Sequence, residues 1–158
     1  MADPIVVGVD GTADSLVALA VAADRAEEHA APLVAVHVRH QTSLAAMSDV
    51  AAEAVVVNEA LDEVEATTRE RVSDVLAGRP VDWRLEVRAG EPAAELIRVA
   101  GEVGAQTIVV GGRSHGVVGG LVLGSVAQRL VRKSPVSVLV VRDGHAQRVT
   151  DVPAAPSS

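Results

Sequence analysis

Four stretches, Ile5 to Val9, Leu33 to Val38, Ala105 to Gly111 and Val136 to Val141, are almost unbroken apolar runs of strand length. A run without polar alternation has no wet face, so each strand must be covered on both sides. A parallel sheet with helices above and below is the arrangement that covers them. The chain is 49% hydrophobic yet has no Phe, no Tyr and one Trp, so Val, Ala, Leu and Ile must fill the core. Such a core favours buried parallel strands under Ala-rich helices.

The segments between the runs have the character this requires. Asp10-Gly11-Thr12 ends the first strand, and Thr12 or Asp14 can cap a helix that reaches about His29, with Leu16, Leu19, Ala20 and Ala23 on its inner stripe. After Pro32 and the second strand, Val50 to Ala77 reads as a long charged outer helix that stops at Gly78-Arg79-Pro80. Val81 to Val87 alternates, with Asp82, Arg84 and Glu86 on one side, which suits a sheet edge with Trp83 as a packing residue. Pro92 opens a third helix ending near Glu102, and Leu121 to Lys133 reads as the fourth. Five strands alternating with four helices predict an α/β fold, a doubly wound parallel sheet with right-handed crossovers. At 158 residues, with no repeat and no linker, one domain is expected, followed by a Pro/Ala/Ser-containing tail from Asp143 to Ser158 that buries little.

Several functions are disfavoured by composition. A net charge of −7 repels polyphosphate backbones, and the shortage of aromatic side chains removes base-stacking platforms, so no nucleic-acid partner is expected. Cys is absent, which excludes thiolate catalysis and Cys-based metal sites. His37 and His40 would face opposite ways from a strand, with no third ligand near. No run approaches the roughly 18 apolar residues of a membrane span, and Met-Ala-Asp-Pro begins no signal peptide, so a cytoplasmic protein is expected. Ser114 and His115 lack a Gly-x-Ser-x-Gly elbow, which argues against a hydrolase triad.

The feature that points to chemistry is Val109 to Ser125. Six glycines lie between a strand and a helix whose amide-bearing start falls near Ser125. Glycines let backbone N–H groups converge, and a helix start adds its unpaired amides, so the stretch reads as an anion cradle suited to phosphate. It is no P-loop, since no Gly-Lys-Ser/Thr closes it and Arg113 is its one cation. On the residues alone, a glycine-rich turn without a guest fits as well, and Asp10 fits as a residue that merely ends a strand.

The spacing Gly111, two residues, Ser114, nine residues, Gly124-Ser125 resembles that of the universal stress proteins, whose nucleotide-binding members carry Gly-x2-Gly-x9-Gly-(Ser/Thr). Asp10-Gly11-Thr12, Gly90-x-Pro92 and the Pro135-Val136-Ser137-Val138 opening of the last strand match the family as well. The departure is Ser114, where the family has glycine. The resemblance covers Ile5 to Arg142 and implies a universal stress protein domain over residues 1–142. It implies a Rossmann-like, adenine nucleotide alpha hydrolase-like three-layer sandwich of strand order 3-2-1-4-5. It further implies binding of ATP, AMP or another adenine nucleotide. Val9, Asp10, Gly11 and Thr12 would lie at the first strand end, Val38 at the adenine edge, and Gly111, Arg113, Ser114, Gly116, Gly124, Ser125 and Val126 around the phosphates. No acidic pair is fixed for Mg²⁺, although Asp10 beside a triphosphate could hold one. A homodimer through Val136 to Val141 is implied too, with a further protein partner unknown. The expected role is a regulatory one in the stress response, exerted by binding, with ATP hydrolysis slow at most. The alternative is an interaction module of the same fold that takes no nucleotide.

A backbone N–H is what a cradle needs at position 114, and serine supplies it, at a cost where glycine's conformation is preferred. Calorimetric titration with ATP is expected to show Ser114→Gly binding up to about tenfold tighter, equivalent to ~1.4 kcal/mol. Loss of binding in the glycine form would instead make the hydroxyl a ligand.

Overall fold

Val6 and Val7 have no exposed surface although they lie on opposite faces of one strand, and the layers follow from covering both. The computed structural model describes residues 2–40, 51–112 and 123–142, without the side chains of 51–54. Its strands are β1 (Ile5–Gly8), β2 (Leu33–Arg39), β3 (Trp83–Ala89), β4 (Thr107–Gly111) and β5 (Ser137–Val141). Its helices are α1 (Ala13–His29), α2 (Ala51–Leu76), α3 (Pro92–Val103) and α4 (Ser125–Lys133). All strand pairs are parallel and the order is β3-β2-β1-β4-β5, as expected. The order reverses at β1, which lies between β2 and β4.

One core joins Ile5, Val7, Leu33, Ala35 and Val109 to α1 and to Val72 and Leu76 of α2. The other joins Val6, Val34, Val36, Ile108 and Val110 to Leu96 and Val99 of α3 and Leu130 of α4. Trp83 is partly buried against the first of these, a packing residue on an edge strand.

The expected stripe on α1 needs correction. The residues buried on it are Ser15, Ala18, Leu19, Ala22, Ala23 and Ala26, while Leu16 and Ala20 lie to the side. Three alanines spaced four apart let the helix sit close to the sheet, which bulkier leucine would prevent. The α4 helix also starts later than Leu121: Leu123 and Gly124 precede it, and Gly124 is its extended N-cap. The outer helix does bury one face, with Thr68, Val72 and Leu76 nearly inaccessible.

Ile108 is fully buried and lies in register with Val6 on one side and Val138 on the other. Ile108→Ala leaves a void in the middle of the sheet and is expected to lower unfolding free energy by about 3 kcal/mol. A shift of the urea midpoint at unchanged slope would measure it.

Candidate functional site

A crevice of about 490 Å³ opens at the carboxyl ends of β1, β2 and β4, where the strand order reverses. Ligands of open α/β sheets sit at such a point, and the volume falls within the range of small-molecule pockets. Five segments supply its walls: the β1–α1 turn, the end of β2, the start of α3, the end of β4 and the start of α4.

The β1–α1 turn is rigid because its polar groups satisfy one another. Val9 donates its N–H to the Val36 carbonyl at 2.9 Å, and its own carbonyl lies 3.0 Å from Nδ1 of the buried His37. Asp10 Oδ1 accepts from the Thr12 amide at 3.0 Å and from the Thr12 hydroxyl at 2.5 Å. Thr12 caps α1, accepting from the Ser15 amide at 3.4 Å, and the Ser15 hydroxyl donates to the Thr12 carbonyl at 3.0 Å. This closed set of bonds holds Asp10, Thr12, Asp14 and Ser15 in the crevice wall.

Gly11 is placed differently. It does not line the crevice; with φ of 81° it turns its carbonyl outward to accept from Arg71 of α2 at 2.5 Å. A Cβ on it would stand 2.9 Å from the Thr68 hydroxyl, so glycine is required here by conformation and by α2 together.

Gly111 lines the crevice, but its lack of a side chain serves packing. A Cβ there would stand 2.9 Å from the backbone of Asp14, which the first turn of α1 presses against the end of β4. At the opposite wall, Gly124 precedes α4 without a side-chain cap, and Ser125, Val126 and Ala127 begin the helix inside the crevice. These first amides and the Ser125 hydroxyl suit an anion.

Val9, Asp10, Thr12, Val38, Gly111, Gly124, Ser125 and Val126 are thus brought together, whereas Arg113, Ser114 and Gly116 lie outside the described residues. Val36 and Leu96 add an apolar wall near Val38. Among the described residues no three His, Cys, Asp or Glu side chains form a metal cluster.

Sequence reasoning missed Asp14, Ser15, His40, Glu91, Leu96 and Arg129, which also line the crevice. His40 was within reach, since it lies two residues after Val38 on the same side of the chain. Glu91 and Arg129 were not, because they are 38 positions apart and meet through tertiary packing, Arg129 Nη1 donating to Glu91 Oε1 at 2.9 Å. Glu91 also caps α3, accepting from the amides of Ala93 at 3.2 Å and Ala94 at 2.7 Å. Burial pushes its carboxyl upward, but the Ala94 amide, the Arg129 guanidinium and the Ala93 amide outweigh that and hold it below the usual carboxylate range.

Comparison with known proteins places the family and the fold. The model of the universal stress protein family matches residues 1–142. A universal stress protein of Mycobacterium tuberculosis is 33% identical over 150 residues, covering 89% of this chain and 45% of that protein. The chain spans about half the length of the mycobacterial relatives it matches. Among solved structures, the universal stress protein UspA from Lactobacillus plantarum has a TM-score of 0.72 at 24% identity, covering 89% of this chain and 97% of that one. A universal stress protein solved in complex with cAMP has a TM-score of 0.59 at 25% identity, covering 89% and 96%.

Because the folded Glu91 titrates below its unfolded value, its ionised form stabilises the fold fully above the usual carboxylate range, and the contribution is lost as pH falls on through the lower folded value. Glu91→Gln is expected to melt below the wild type at neutral pH by an amount worth less than about 1 kcal/mol, since the group is partly solvated. The gap should close only as pH falls through the depressed folded value of Glu91, below the usual carboxylate range, where both side chains become neutral. Melting curves across that range measure it.

Proposed function

The chain belongs to the universal stress protein family, and on that premise we propose that its crevice binds an adenine nucleotide, ATP foremost, in a cytoplasmic regulatory role exerted by binding. One observation carries the reading. Val9 and Asp10, Val38, and Gly124 to Val126 come from three separate parts of the chain and line one crevice at the strand carboxyl ends. The apolar surface of Val9, Val36, Val38 and Leu96 suits a base, and the start of α4 suits phosphate. The cAMP complex of a relative 25% identical supports the same ligand class. Mg²⁺ would come with the phosphates and lie beside Asp10.

Catalysis finds little support in the walls. They carry no Lys, and Asp10 is engaged by Thr12. Binding is tested by the 260 nm absorbance of protein purified without added ligand, which one Trp and no Tyr leave legible, and by titration calorimetry. Uptake of ATP is expected, with turnover well below the ~10 s⁻¹ typical of enzymes. No heat at millimolar ATP would favour an interaction module of the same fold. Phosphate release on the order of 1 s⁻¹, abolished by a loop mutation, would make the protein an enzyme.

The proposal includes a homodimer through β5. Among the described strands β5 pairs with β4 alone, and Ser137 to Val141 carries no charge to protect its open edge. Antiparallel pairing about a two-fold axis would close it. Sedimentation at micromolar concentration is expected to give a dimer; a monomer would overturn this part.

A further inference from the structure

Arg129 and Glu91 meet across the wall of the crevice, and neither belongs to the glycine spacing or to the strand ends. Glu91 is the fixed partner, since its two oxygens also accept from the Ala93 and Ala94 amides at the start of α3. Arg129 is the movable one, a long side chain 57% exposed against 34% for Glu91. It stands one turn after Ser125 on α4, and helical side chains lean toward their own N-terminus. A side chain at that position is within reach of the first turn of α4, where Gly124 supplies no side-chain cap.

The charges of the wall give this placement its meaning. Asp10, Asp14 and Glu91 face the crevice as carboxyl groups, and among the described lining residues Arg129 is the one Arg or Lys. A ligand with several negative charges meets repulsion there that an uncharged one does not. We propose that Arg129 sets the charge class of the ligand, pairing with Glu91 when no anion is present and transferring to an anionic group at the start of α4 when one binds. Glu91 then acts as an internal competitor, and the pair grades adenine compounds by their phosphate charge. The inference rests on the adenine-nucleotide reading and adds a specificity residue to it.

The test is calorimetric titration of the full chain, as wild type, Arg129→Gln and Glu91→Gln, with ATP, AMP, adenosine and inorganic tripolyphosphate. Loss of one charge-assisted contact should weaken ATP and tripolyphosphate by about tenfold in Arg129→Gln, weaken AMP less and leave adenosine unchanged. Glu91→Gln keeps one carbonyl oxygen to accept from an α3 amide, so it should fold, and it should tighten ATP while leaving adenosine unchanged. Equal shifts for ATP and adenosine in Arg129→Gln, no shift in either, or weaker ATP binding in Glu91→Gln would overturn the inference while leaving the nucleotide reading intact. Arg129-dependent uptake of tripolyphosphate without uptake of any adenine compound would overturn the nucleotide reading and keep the anion role of Arg129. A wild type that takes up none of the four would overturn both.

Discussion

The close approach of helices to the sheet is the constraint on which the rest of the molecule depends. A core of Val, Ala, Leu and Ile has little bulk per residue, so layers must come together to fill space at native density. On one face, Ala18, Ala22 and Ala26 bring α1 down onto the sheet until the backbone of Asp14 meets the end of β4 at Gly111. On the other, Leu96 of α3 reaches Gly8, where a Cβ would stand 3.1 Å from its methyl carbon. The crevice is what these two contacts leave between them. Its position follows from core packing before any ligand is considered.

The same constraint explains why the outer helix matters to a site it does not line. Thr68 and Arg71 of α2 hold Gly11 from outside, one by filling the space a side chain would need and the other by binding its carbonyl. The Thr68 hydroxyl is buried without a hydrogen-bond partner, a cost accepted where the methyl and hydroxyl are needed as filler. The turn is thereby fixed from both sides: its own bonds among Asp10, Thr12 and Ser15 on the inside, and α2 on the outside. A site fixed in this way loses little freedom when a ligand orders it.

The fold was legible because its signals are local. Unalternating runs marked β1, β2, β4 and β5, alternation marked the wet edge strand β3, and Thr12, Pro92 and Gly78 marked helix ends. Val38 and Ser125 were expected at the end of β2 and the start of α4, and both line the crevice there, because strand and helix boundaries are local signals. The site was less legible where one residue type answers to two demands. Gly111 was singled out for the backbone it would bare to phosphate, and it lines the crevice, but its missing side chain also makes room for α1. Gly11 was expected at the ligand, whereas it answers to α2. Polar residues such as Glu91 and Arg129 acquire a role only through helix packing, which no local pattern encodes.

Anchorage differs among the helices around the crevice. Six residues of α1 and five of α3 are buried, and Thr12 and Glu91 cap those helices, but α4 is nine residues long, buries Ala127 and Leu130, and has no side-chain cap. Its basic last turn, Arg132 and Lys133, complements the dipole at one end, leaving the positive end uncompensated. A short helix with two anchors depends more than its neighbours on what sits at that end. An anion held there would stabilise α4 more than any other element, and α4 also packs beside β5, the strand with the open edge. The element that joins the start of the crevice to the edge strand is therefore the shortest of the four described helices, held by two buried residues.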